Sequence, residues 1–129
     1  MLKETIICIV IVIAIILGNH TTQSYTTSSV SELSSELMAL REKMTQEEKE
    51  NKIMQEEVNT LYQNWNEKHD KLAYFIEHDE LEKVETEFVA IKSFIETQEY
   101  EEAISELDKS VFILKHIEDK YAFNLQNVF

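Results

Sequence analysis

The chain has 129 residues and a formal net charge of −13, with one cysteine, one glycine and no proline. That length supplies one modest hydrophobic core, the acidic excess repels phosphate backbones and so excludes nucleic acid as a favoured partner, and the lone Cys8 excludes an intrachain disulfide or a CxxC zinc site. Tight hairpins and phosphate-cradling loops need the residues that are missing, so the expected fold class is all-α.

The first element is an apolar run: Ile6, Ile7, Cys8, Ile9, Val10, Ile11, Val12, Ile13, Ala14, Ile15, Ile16 and Leu17, preceded by Lys3 and Glu4. As a helix, Thr5 to Gly18 reaches about 21 Å at about 1.5 Å per residue, short of a hydrocarbon core of about 30 Å. That length also suits a signal peptide. The flank "NHTTQS" has no A-x-A cleavage pattern, and no small-residue lipobox precedes Cys8, so an uncleaved transmembrane anchor is the expectation for residues 1–18. Lys3 precedes the run and no Lys or Arg follows until Arg41, which predicts a single-pass protein of the cell membrane with a cytoplasmic N-terminus and an extracytoplasmic domain.

Residues 19–28 are rich in Thr and Ser and lack an apolar period, which predicts a flexible polar stalk. Residues 29–129 read as a helical bundle domain. Ser29 and Glu32 form an S-x-x-E capping box ahead of the stripe Val30, Leu33, Leu37, Leu40, Met44. Thr45 and Glu48 repeat that pattern ahead of Ile53, Met54, Val58, Leu61, Trp65, Leu72, Phe75 and Ile76. The heptad phase runs on between these stripes, so one continuous helix is the alternative to two. A continuous phase would put Glu47, Asn51, Lys68 and Asp79 on the seam, which favours a turn.

Leu81, Val84, Phe88, Ile91 and Ile95 form a third stripe. Ile104, Leu107, Val111, Leu114 and Tyr121 form a fourth that is out of phase with it, so a turn is needed near Thr97. The first and third stripes match at a constant offset of fifty-one positions, and Thr45-Gln46-Glu47 echoes Thr97-Gln98-Glu99, the pattern of a duplicated helical hairpin. The predicted architecture is an N-terminal transmembrane helix followed by an up-down four-helix bundle of two hairpins. Trp65 is expected in its core.

One stretch invites a chemical reading. In "IEHDELEKVE" (Ile76 to Glu85) the second helix is expected to end near His78 and the third to begin near Glu80, while the fourth returns His116 to the same end. Two imidazoles and a carboxylate are a candidate site for a divalent metal with an open position. The simpler reading, and the favoured one, is a structural corner in which Asp79 caps the third helix and the two histidines sit at helix C-termini. Neither H-E-x-x-H nor Glu-x-x-His spacing is present, and no nucleophile–base pair has a recognisable spacing. Neither enzymatic chemistry nor a cofactor is expected.

The N-terminal span and polar stalk, Trp65, the run Leu72, Ile76, His78 and Glu80, the "LKHI" of Leu114 to Ile117 and the terminal "NLQNVF" resemble a bacterial family, domain of unknown function 4363. The departure is Asn51, where the family pattern has an aromatic residue. The resemblance implies a membrane-anchored helical protein with no established activity, found beside polytopic membrane proteins, and supplies no catalytic residues. Together these readings predict an interaction or scaffold module bound to lipid through its N-terminal helix and to an integral membrane protein. Metal binding or sensing through His78, Glu80 and His116 is the alternative.

Overall fold

The computed structural model describes residues 1–48 and 50–128, with the side chains of Gln23 and 122–128 left aside. Four helices follow one another: α1 (Leu2–Met44), α2 (Asn51–Leu72), α3 (His78–Glu96) and α4 (Tyr100–Val128), with no strand among the described residues. The fold is all-α, as the composition requires. Each helix packs on its two neighbours in the cyclic order α1, α2, α3, α4, most closely at α3–α4 and α1–α4, and the diagonal pairs stay apart. That is an antiparallel up-down bundle.

The core is built from the expected stripes, except that Ile53 and Phe75 of the second stripe are exposed and lie outside it. Val30, Leu33, Leu37, Leu40 and Met44 of α1 and their counterparts Leu81, Val84, Phe88, Ile91 and Ile95 of α3 are all at 2% exposure or less. Polar pairs on the α1–α2 seam report the register. Glu32 takes Lys68, Glu36 takes Asn64 and Glu57 takes Lys43, so each step up α1 is matched by an equal step down α2. On the other side, Arg41 grips Asp108 of α4 at 2.8 Å.

The turn between the first two stripes is present, and the single-helix alternative is ruled out. Its chemistry differs from the expectation. Thr45 is the C-cap of α1, its hydroxyl donating to the Glu42 carbonyl at 2.7 Å, and α2 begins only at Asn51 behind Glu50, so no Thr45–Glu48 capping box forms. Thr97 ends α3 in the same manner, donating to the carbonyls of Ser93 and Phe94. The repeated threonines are helix stops, not starts. After Thr97 the chain turns through Gln98 at φ 60°, with Gln98 N–H on the Ile95 carbonyl and Glu99 N–H on the Phe94 carbonyl. This is a Schellman closure with glutamine where glycine is usual.

The flexible stalk is the main correction. α1 runs without a break from Leu2 through residues 19–28 to Met44, about 65 Å of helix at about 1.5 Å per residue. Thr and Ser are weak helix formers because their hydroxyls compete for the backbone. Here Thr21 bonds back to the Leu17 carbonyl at 2.9 Å, and Thr26 and Ser29 are buried in the bundle. Ser29 is therefore an interior helical residue, not an N-cap. Tertiary packing overrides local preference, and the domain boundary expected at 28/29 falls inside one helix.

Candidate functional site

At one end of the bundle, α2 finishes at Leu72 and a turn over 73–77 leads into α3, while α4 comes down alongside. Ile76 plugs this corner, 4% exposed, and the Glu77 amide donates to the Tyr121 hydroxyl of α4 at 3.0 Å. Burial pushes the Tyr121 phenol above its ordinary range. α3 is capped at Glu77 without a side-chain bond, so Asp79 is not the cap.

The three residues singled out for metal binding do not meet. His78 is exposed at the first position of α3, with Glu82 Oε2 at 4.0 Å from its Nε2. Thus it stands at a helix N-terminus, opposite to the expected C-terminal placement. His116 is exposed within α4, which continues for three more turns, so it does not close that helix either. Glu80 is the buried member, 8% exposed, and its Oε1 accepts from Lys120 Nζ at 3.0 Å. The same ammonium lies 3.5 Å from Glu77, and the hydrogen bond it donates to Glu80 is the first cause of the raised Lys120 pKa. A cation is therefore already seated where the carboxylate points. Among the described residues, no group of three or more His, Cys, Asp or Glu side chains is arranged to hold a metal.

Trp65 is fully buried, tilted against Phe88 at 5.5 Å and edge-on to His69 at 5.7 Å. His69 is thus a packing residue. The indole Nε1 is buried with no acceptor among the described residues. Sequence reasoning missed a second polar pair, Glu87 of α3 and Glu106 of α4. Burial and then Glu106 raise the Glu87 pKa to about 7, while Glu87 and then Lys109 hold Glu106 below its usual range. Glu87 Oε2 is buried with no hydrogen-bond partner among the described residues, an environment that favours the protonated carboxyl. The Glu106–Lys109 spacing of three was the only sequence signal.

The apolar half of α1 stands apart from all this. Residues 1–21 are exposed along their whole length, and α1 is the one described helix long and apolar enough to cross a membrane. The model of a family described as a domain of unknown function, DUF4363, matches residues 20–128. The chain belongs to that family. The match starts where α1 approaches the bundle and takes in α2, α3 and α4. Comparison with curated proteins and with solved structures gives no match. Of the residues that carried the resemblance, His78 and Glu80 lie at the corner and Leu114 and Ile117 of "LKHI" are buried, while the side chains of "NLQNVF" from Asn124 on lie outside the described residues. Asn51 Oδ1 accepts from the Tyr100 hydroxyl.

Proposed function

We propose that this DUF4363 protein is a membrane-anchored interaction module, with the N-terminal half of α1 in the bilayer and the bundle presented on the extracytoplasmic side to an integral membrane protein. The observation that carries the reading is the single helix that is bare and apolar at one end and packed into the core at the other. Ten Ile, Val and Leu side chains between Ile6 and Leu17, at about −0.3 to −0.6 kcal/mol each, favour lipid by several kcal/mol. Lys3 on one flank, against no Lys or Arg before Arg41, supports a cytoplasmic N-terminus. The role proposed is binding, since the residues singled out for chemistry, His78, Glu80 and His116, do not come together. No observation favours the metal reading, whose carboxylate is held by Lys120.

The test is photo-crosslinking of the full chain in native membranes, with the crosslinker placed at exposed positions such as Phe112 and Val89, followed by identification of the attached proteins. Recovery of one integral membrane protein supports the proposal. Its loss follows from recovery in the soluble fraction, or from a membrane-bound chain that crosslinks to nothing specific.

A further inference from the structure

Because α1 has no break, the height of every bundle residue above the apolar run is fixed at about 1.5 Å per residue. The uninterrupted apolar stretch, Ile6 to Leu17, is about 18 Å long, and a hydrocarbon core of about 30 Å needs about 20 residues. The deficit is made up from the C-terminal side, which takes in Asn19 and His20. Glu4, Lys3 and the amine lie on the N-terminal side, whereas no Asp, Glu, Lys or Arg follows Glu4 until Glu32. Thr21, moreover, has already satisfied its hydroxyl on the Leu17 carbonyl. The hydrocarbon boundary therefore falls near Thr21 and Thr22, and the headgroup layer reaches past Tyr25.

At that height the bundle carries an aromatic corner. Tyr74 and Phe75, in the α2–α3 turn, line a shallow recess with Thr21, Thr22, Tyr25 and Lys71. Tyr74 is 85% exposed and Phe75 38%, their rings 6.4 Å apart, and Lys71 Nζ lies 5.9 Å from the centre of the Tyr25 ring. A phenol, a phenyl ring and a long-stemmed ammonium are the side chains that partition into the interface between water and hydrocarbon. Tyr74 and Phe75 are exposed side by side at a turn that Ile76 already closes, next to the point where α1 emerges from the bundle. Beside a spanning helix, they extend the apolar surface of α1 sideways along the membrane plane.

We propose that the α2–α3 corner, Tyr74 and Phe75 beside Lys71, is seated in the headgroup layer of the same bilayer that holds the N-terminal half of α1. The occupant of the recess is lipid. This rests on the anchored reading above and adds a second contact to it, which fixes how the bundle tilts on the membrane. Because α1 tethers the corner, two rings suffice where an untethered domain needs many more.

The experiment places a single spin label in the full-length chain in phosphatidylcholine vesicles, in a Cys8→Ser background, and reads its depth from the ratio of oxygen to water-soluble nickel-complex collisions. Three positions are compared: Ala14→Cys in the span, Ala73→Cys beside the two rings of the corner and Gln46→Cys at the far turn. Circular dichroism confirms that each variant keeps its helix content. The expected result is a hydrocarbon signature at 14, an aqueous one at 46 and an oxygen-to-nickel ratio severalfold above that of 46 at 73. A hydrocarbon signature at 14 with 73 as aqueous as 46 overturns the seated corner and leaves the anchor intact. Shielding of 73 from both probes means that protein, a second copy or a partner, covers it, which also overturns the proposal. An aqueous signature at 14 removes the anchor and the corner's seat with it.

Discussion

The hydroxyl of Tyr100 donates to Asn51 Oδ1 at 2.7 Å, joining the first residue of α4 to the first residue of α2 across the end of the bundle far from the apolar half of α1. Helices that do not touch along their lengths are thus tied at their starts. Tyr100→Phe removes the hydroxyl that makes this bond, and is expected to lower stability by at least about 1 kcal/mol, the net worth of a partly buried hydrogen bond. Urea denaturation of the bundle checks this, with an unchanged slope and a lower midpoint expected.

The α3–α4 turn has a cheap improvement available. Gln98 sits at φ 60°, where a side chain costs about 1 kcal/mol that glycine does not incur. Gln98→Gly should raise the thermal midpoint by a few degrees, as measured by calorimetry. A lowered midpoint would mean that the Gln98 side chain contributes more than its backbone costs.

Trp65 offers a contrast between two truncations. Trp65→Ala leaves a large void against Phe88 and should cost about 3–5 kcal/mol. Trp65→Phe keeps most of the ring and deletes a buried N–H that has no acceptor among the described residues, so its cost should be below about 1.5 kcal/mol. Paired denaturation curves read the difference.

Stability should fall as pH rises between about 4.5 and 7. Glu87 keeps its proton in the fold up to about 7, while the unfolded chain releases it near the ordinary 4.5. The folded state holds the extra proton in that window, so its contribution is fully present below 4.5 and is lost on passing 7. Glu106, held low, acts in the opposite sense and loses its contribution only as pH falls beneath the usual carboxylate range. Glu87→Gln supplies the donor without a titrating proton. It should flatten the profile across this window and stabilise the bundle at pH 8 by about 1 kcal/mol.

Lys120 holds the one buried carboxylate of the corner. Lys120→Met strands Glu80 at 8% exposure and should destabilise the bundle by about 1–3 kcal/mol, with Glu80→Gln restoring part of that loss. Added zinc should leave the thermal midpoint of the wild-type chain unchanged, since ligand binding to the folded state would raise it.

The stripes were legible because burial repeats at helical spacing, and leucine, isoleucine and valine have few other reasons to recur so. Helix ends were harder to read. Thr45 and Thr97 were correctly placed at corners, but a threonine hydroxyl serves as well on the last carbonyls of one helix as on the first amides of the next, and only the backbone decides. The helix through 19–28 was hidden because it lies between an apolar run and a packed stripe that are both helical, and only its later part, at Thr26, is buried, a tertiary fact with no local signature. His78, Glu80 and His116 illustrate the remaining gap. Topology brings them to one half of the bundle, but the rotation of each helix turns both histidines outward and gives the carboxylate to Lys120.

An unbroken α1 also behaves as a shaft. Twisting or sliding its bare end cannot be absorbed at a loose joint, because the ladder of backbone bonds continues from Leu2 to Met44. Any such displacement reaches Leu33, Leu37 and Leu40 directly. There it must be met by α4, the neighbour that packs most closely on α1, so torque applied at one end is felt as a change of meshing at the other.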